Sequence, residues 1–178
     1  MESYTMKICG LTRTLKRCPL NDKMDIAAFI LFGDVELTVK AAEELLKKSP
    51  DFDVIMTAEA KGIPLAHEMS RQSGKRYYVA RKATKLYMRD PIAAKVKSIT
   101  TARLQTLYLD RDEAESIRGK RVLIVDDVIS TGESLNAIEA LVKEADGIIA
   151  GHATVLAEGD AANRDDILFL EPLPLFFK

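Results

Sequence analysis

Apolar positions fall into short runs separated by amphipathic stretches. "IAAFILF" (26–32) is a continuous apolar run, and a run of that length reads as a buried strand. In "DVELTVKAAEELLKKS" (34–49), Leu37, Ala41 and Leu45 recur every four residues, which places them on one face of a helix. Asp34 stands where a side chain caps the first turn. Lys47 and Lys48 stand at the negative end of the helix dipole. "FDVIMTA" (52–58) predicts the next strand, and "GIPLAHEMSRQSG" (62–74) a helix stopped by Gly74. "RYYVAR" (76–81) predicts a strand rich in aromatic and β-branched residues.

Over residues 83–105 the pattern loosens into Lys, Arg, Thr and Ser. "VKSIT" (96–100) and "LQTLYLD" (104–110) predict two short strands of a hairpin around "TAR" (101–103). Stretches this long without firm patterning are uncommon in a compact domain unless they carry function. "RVLIVDD" (121–127) is the next strand, and "SLNAIEALVKEA" (134–145) a helix with Leu135, Ile138, Leu141 and Val142 on one side. "GIIAGHATVLAE" (147–158) and "ILFLEP" (167–172) are the closing strands. Strands alternating with helices predict an α/β fold, a central mostly parallel sheet with helices on both faces. Right-handed crossovers gather the strand-to-helix loops along one edge. Ligands of such sheets bind there, outside the carboxyl ends of the strands.

Composition narrows the class. The 178 residues are 47% hydrophobic and 30% charged, with a net charge of -1. One domain (1–178) with a sizeable core is expected, and no global attraction to nucleic acid. No apolar run approaches the roughly 18 residues that span a bilayer. The N-terminus lacks the apolar core of a signal peptide, so the expected location is cytoplasmic. Cys9 and Cys18 have no CxxC spacing or nearby histidine, which speaks for reduced thiols and against zinc. His67 and His152 are given no role.

Three strand-to-loop transitions carry candidate chemistry: "TAEAKG" (57–62), "ARKATK" (80–85) and "DDVISTGES" (126–134). In the last, a strand delivers Asp126 and Asp127, and a loop with Ser130, Thr131, Gly132 and Ser134 runs into a helix. Backbone N–H groups at a helix start, beside hydroxyls, form an anion site. Gly132 allows a positive φ or a close backbone approach. The carboxylates suit sugar hydroxyls or a metal. Helix capping alone accounts for either half. Both halves together fit a ligand with a phosphate at one end and a diol nearby, such as ribose 5-phosphate. Neither GxxxxGK[ST] nor GxGxxG occurs, which disfavours a P-loop or dinucleotide-binding fold.

"VLIVDDVISTGES" closely resembles the phosphoribosyl pyrophosphate (PRPP) signature of the type I phosphoribosyltransferases. "EAKGIPLA" (59–66) is similar to the pyrophosphate loop of the adenine phosphoribosyltransferase group, and "VARKATKL" (79–86) to the basic strand end that follows it. "SITTARLQTLYLD" (98–110) occupies the place of its flexible catalytic loop. The resemblance implies the type I fold with a small hood, formed by residues 1–25 with the C-terminal tail. It implies that Asp126 and Asp127 hold the ribose hydroxyls, directly or through Mg²⁺-bound water, with Mg²⁺ held chiefly by PRPP. Val128, Ile129, Ser130, Thr131, Gly132, Glu133 and Ser134 would form the ribose-phosphate loop. Glu59, Ala60, Lys61 and Gly62 would form the pyrophosphate loop, with Arg81, Lys82 and Lys85 neutralising that group. Asp126, Asp127 and Lys82 are the implied catalytic residues, and Phe32 or Phe176 could stack on the base.

Two departures stand out. Many relatives have glycine where this chain has Glu133. The flexible loop has Ser98, Thr100, Thr101, Arg103 and Gln105 in place of the aromatic-plus-acid pair of adenine enzymes. The expected activity is transfer of a purine to PRPP with release of pyrophosphate, by a homodimer whose residues 84–106 close over the site. The alternative is a catalytically inactive PRPP- or nucleotide-sensing regulator. Such regulators usually carry a DNA-binding domain, for which about 25 residues before the first strand are too few. A phosphatase or receiver-like module would leave "EAKG" and "RKATK" unexplained.

Overall fold

The computed structural model describes residues 2–97 and 104–178. Its centre is a five-stranded sheet, entirely parallel. The strands are β4 (Val54–Ala58), β5 (Tyr77–Ala80), β8 (Arg121–Ile129), β9 (Ile148–Glu158) and β10 (Leu168–Leu173), in the order β10-β9-β8-β4-β5. Every residue of β4 is buried, as expected for an inner parallel strand covered on both faces. Alternate side chains go to opposite cores. Val54 and Met56, with Val122 and Ile124, pack against α3 (Arg111–Ile117) and α4 (Glu133–Glu144). Ile55, with Leu123 and Val125, packs against α1 (Val35–Lys48) and α2 (Ile63–Ser73). The α1 cap is as expected: Asp34 accepts from the Leu37 N–H at 3.2 Å.

A second, antiparallel sheet comes from the two chain ends: β1 (Ser3–Ile8), β2 (Leu11–Asn21), β3 (Met24–Ala28) and β11 (Phe176–Phe177), in order β1-β2-β3-β11. This corrects the expectation for residues 26–32. The strand there is β3, and its partners are β2 and the tail. Residues 29–33 leave the sheet, with Phe29 and Leu31 buried and Ile30 and Phe32 more than half exposed. An apolar run cannot distinguish a strand buried on both faces from extended chain at the edge of a core. The β1–β2 hairpin turns at Cys9 and Gly10, both with positive φ. Both cysteines are free.

A third, two-stranded element pairs β6 (Ile92–Lys97) with β7 (Leu104–Leu109) in antiparallel register. An antiparallel hairpin is therefore present, but its first strand is Ile92–Lys97 and not 96–100, with only Val96 and Lys97 in common. Ser98, Thr100, Thr101 and Arg103 lie outside the described residues, and Gln105 is on β7. Helix α3 was not anticipated. It has only seven residues, capped by Asp110, too short for a periodic signal. No helix of the described residues is long and apolar enough to cross a membrane.

Candidate functional site

The carboxyl ends of β4, β5, β8 and β9 meet at one edge of the parallel sheet. There they border a cavity of about 410 Å³. Its polar side consists of Glu59, Lys61, Lys82, Asp126, Asp127, Ser130, Ser134 and Glu158. Ile26, Ala27, Ala28, Phe29 and Ile30, on and just after β3, form the facing wall with Leu173. The antiparallel sheet thus contributes an apolar side to a cavity whose charge comes from the parallel one.

Asp126 and Asp127 lie near the end of β8, which continues to Ile129 through pairing with β9. Asp127 is 2% exposed. Its Oδ2 lies 3.1 Å from Lys61 Nζ, a close ion pair without the alignment of a hydrogen bond. Asp126 Oδ1 accepts the Asp127 N–H at 2.9 Å. Burial, and next the Asp127 carboxylate, push the Asp126 carboxyl up to about 7. Like charges held together in a poorly solvated place resist joint ionisation.

That shift has a consequence for stability. The folded chain holds the Asp126 proton from its ordinary range near 3.8 up to about 7, whereas the unfolded chain has already released it. Stability from this group is therefore fully present below the ordinary value and lost as pH rises through about 7. Asp126→Asn removes the dependence. Urea midpoints of both proteins, without Mg²⁺ or phosphate, should favour the variant increasingly from pH 5 to pH 8. A difference that stays flat over that window would show that Asp126 titrates normally.

Downstream, Gly132 has φ +79° and begins α4 as its cap. Residues 128–135 and Asp126 line a small hollow of about 50 Å³ continuous in sequence with the helix start. Ser130, Thr131 and Ser134 are exposed there, and the amide ends of α4 favour an anion. Glu133 opens the first turn of α4, a position where an acid suits the helix dipole. Arg164, ion-paired to Asp166 at 2.6 Å, lies against Gly132. Its Nη1 would sit 2.8 Å from a Cβ on residue 132.

Between β4 and α2, the Glu59–Ala60 peptide is cis, and Gly62 caps α2 with φ −74°. Glu59 accepts from the Lys82 N–H at 2.9 Å and from Arg81 Nη1 at 3.2 Å, and Lys85 Nζ is 3.4 Å away. The Lys82 amide and these cations hold the Glu59 carboxyl below its usual range. Of the three basic residues of this run, Lys82 lines the cavity, while Arg81 and Lys85 are engaged with Glu59.

The two aromatic candidates lie elsewhere. Phe32 is 56% exposed on the turn before α1. The Phe176 ring packs under the Arg17 guanidinium at 4.3 Å and edge-on to Tyr4. Neither borders the cavity; buried Phe29 does. Sequence reasoning also passed over Glu158, Leu173 and the fully buried Thr57, whose Oγ1 would be 2.3 Å from a Cβ on residue 62. Glu158 ends a predicted strand, so the rule that ligands bind at strand carboxyl ends could have found it. No group of three or more metal-ligating side chains occurs among the described residues. The Asp126–Asp127 pair fits a cation that takes most of its ligands from water and a bound phosphate.

Comparison with known proteins gives a consistent picture. The sequence pattern of the phosphoribosyl transferase domain matches residues 35–172. The chain is 34% identical over 129 residues to an adenine phosphoribosyltransferase of Cenarchaeum symbiosum, covering 71% of this chain and 73% of that one. It is also 34% identical over 160 residues to a hypoxanthine/guanine phosphoribosyltransferase of Methanotorris igneus, covering 84% and 83%. Among solved structures, the adenine phosphoribosyltransferase of Thermoanaerobacter pseudethanolicus superposes with a TM-score of 0.73 at 21% identity, over 89% of this chain and 95% of that one.

Proposed function

The chain belongs to the phosphoribosyl transferase domain family, and from that premise we propose that it is a purine phosphoribosyltransferase. It joins a purine to PRPP, releasing pyrophosphate and forming a nucleoside 5'-monophosphate. One observation carries this reading: a cavity bordered by a carboxylate pair, a lysine pair and an apolar wall shares Asp126, Ser130 and Ser134 with the hollow of the helix-start anion loop. The names of relatives at 34% identity, one for adenine and one for hypoxanthine and guanine, support the purine class.

In this reading Ser130, Thr131, Gly132 and Ser134 with the α4 amides hold the 5-phosphate. Asp126 and Asp127 accept hydrogen bonds from the ribose hydroxyls. Lys61 and Lys82 face the pyrophosphate, whose negative charge grows as the bond to the anomeric carbon breaks. Fixed cations aimed at developing charge lower that barrier. The transition state is oxocarbenium-like, as in glycoside cleavage; the purine nitrogen forms the new bond to the same carbon as the bond to pyrophosphate breaks, and its N–H proton is released to the departing pyrophosphate or to water. Mg²⁺, when bound, neutralises pyrophosphate oxygens; Asp126 and Asp127 would hold its water ligands. Residues 84–106 exclude water during turnover. Residues 1–25 and the tail form the hood over the base within a single domain; in support, their strands β2 and β11 pair with β3, whose residues Ile26–Ala28 face the cavity. A cytoplasmic homodimer completes the proposal.

The test is pyrophosphate release from PRPP and Mg²⁺ with adenine, guanine, hypoxanthine, xanthine, uracil and orotate. Turnover is expected with at least one purine and with neither pyrimidine. Tight PRPP binding without turnover of any base would replace the enzyme with a sensor.

A further inference from the structure

Strand order lays the cavity out as a sequence of chemistries. Over β5 and β4 lie Lys82 and Lys61; over β8 lie the diacid and the anion loop; over β9 and β10 lie Glu158 and Leu173. A transferase substrate spans them in that order, so its base reaches the β9 end, beneath the apolar segment Ile26–Ile30. Among the described residues, the acid that lines the cavity at that end is Glu158, directly beside Leu173 in the β9–β10 register. Asp126, Asp127 and Glu59 each have a bonding partner. The Glu158 carboxyl has none among the described residues, although it is only partly exposed.

We propose that Glu158 is the specificity-determining residue for the base: its carboxyl accepts a hydrogen bond from an exocyclic amino group, making aminopurines the substrate class. This rests on the transferase reading and adds to it the selection among purines. Burial pushes this carboxyl upward, opposed in part by the Lys61 charge, so an amino donor satisfies an acceptor that water reaches poorly. Hypoxanthine and xanthine carry keto oxygens where an aminopurine carries an exocyclic amino group, and their ring N–H donors point in other directions, so a carboxylate placed opposite the exocyclic position meets an oxygen. An acceptor facing an acceptor leaves both unpaired, and sites built around one hydrogen bond reject analogues that lack it. The apolar wall accounts for affinity toward any purine; Glu158 accounts for the preference.

The experiment compares wild type, Glu158→Gln and Glu158→Asp. The kcat/KM for adenine and guanine over hypoxanthine is measured, together with dissociation constants of AMP, GMP and IMP. Wild type should favour the better aminopurine by roughly tenfold or more, the scale of one hydrogen bond to a charged group. Glu158→Gln, which can donate to a keto oxygen, should lower that ratio at least tenfold, mainly through KM for the base. Glu158→Asp keeps the carboxyl and should keep the sign of the preference. A residue that only supported the fold would slow all bases alike, and an unmoved ratio in Glu158→Gln overturns the proposal. Should wild type turn over no base, the transferase reading falls. The AMP-to-IMP affinity ratio then still decides Glu158 by the same criterion.

Discussion

Asp127→Asn should weaken PRPP binding by roughly tenfold to a hundredfold while leaving the fold intact. The range follows from losing a hydrogen bond to a charged acceptor, about 1.5–3 kcal/mol, at about 1.4 kcal/mol per tenfold; the half-exposed Lys61 is screened by solvent and adds little. Asp127 is 2% exposed and its Oδ2 is 3.1 Å from Lys61 Nζ. Asparagine keeps the shape but cannot balance that ammonium, so Lys61 loses its anchor as the ribose loses an acceptor. Calorimetric titration of PRPP with Mg²⁺, beside a urea melt, separates binding from stability. An unchanged PRPP affinity in a folded variant would mean that the ribose sits elsewhere.

Gly62→Ala should damage activity for a steric reason. The backbone at Gly62, φ −74° and ψ −12°, suits any residue, so conformational strain plays no part. The added Cβ would lie 2.3 Å from Thr57 Oγ1, 3.0 Å from Asp126 Oδ1 and 3.3 Å from Asp126 Cα. One methyl group would thus push α2 away from the ends of β4 and β8 together. Overpacking of this kind costs about 1–3 kcal/mol, and a displacement near 1 Å at a reacting centre costs about a hundredfold in rate. The expected result is a kcat/KM about a hundredfold lower with a reduced urea midpoint. Thr57→Ala removes the nearest clash, so adding it to Gly62→Ala should recover part of the lost stability. A midpoint no higher in the double variant would refute the contact as the cause.

Much of the parallel sheet is visible in the chain because its signals are local. Leu37, Ala41 and Leu45 repeat at helical spacing and all are buried in α1. The runs ending at Ala58 and Asp127 are apolar because both faces of β4 and β8 are covered. Elements with weak local signals were misread or missed. In β1 and β2, threonines and basic residues alternate with apolar ones around a Cys-Gly turn, a pattern easily taken for irregular chain. Helix α3 has too few turns to show a period. Of the apolar run at 26–32 only Ile26–Ala28 lie in a strand, and the partners of that strand, β2 and the tail, carry little strand signal or lie far off.

The site divides along the same line. Asp126 and Asp127, the hydroxyl loop and Gly132 are neighbours in sequence, so their joint chemistry could be read from thirteen consecutive letters, Val122 to Ser134. Spacing cannot say which cation meets which acid. Arg81 and Lys85 are as basic as Lys82, yet the fold engages those two with Glu59 and sets Lys61 against Asp127. Nor can it show that residue 62 has no room for a methyl group, or that Phe29 rather than Phe32 faces the cavity. The sequence by itself determined the strand–loop–helix unit and its phosphate-and-diol chemistry, because contiguous residues set hydrogen-bonding type and periodicity. Only the tertiary structure decided the ion pairs, the tight α2 contact and the position of Glu158. Each of these depends on which strand ends the parallel register brings side by side.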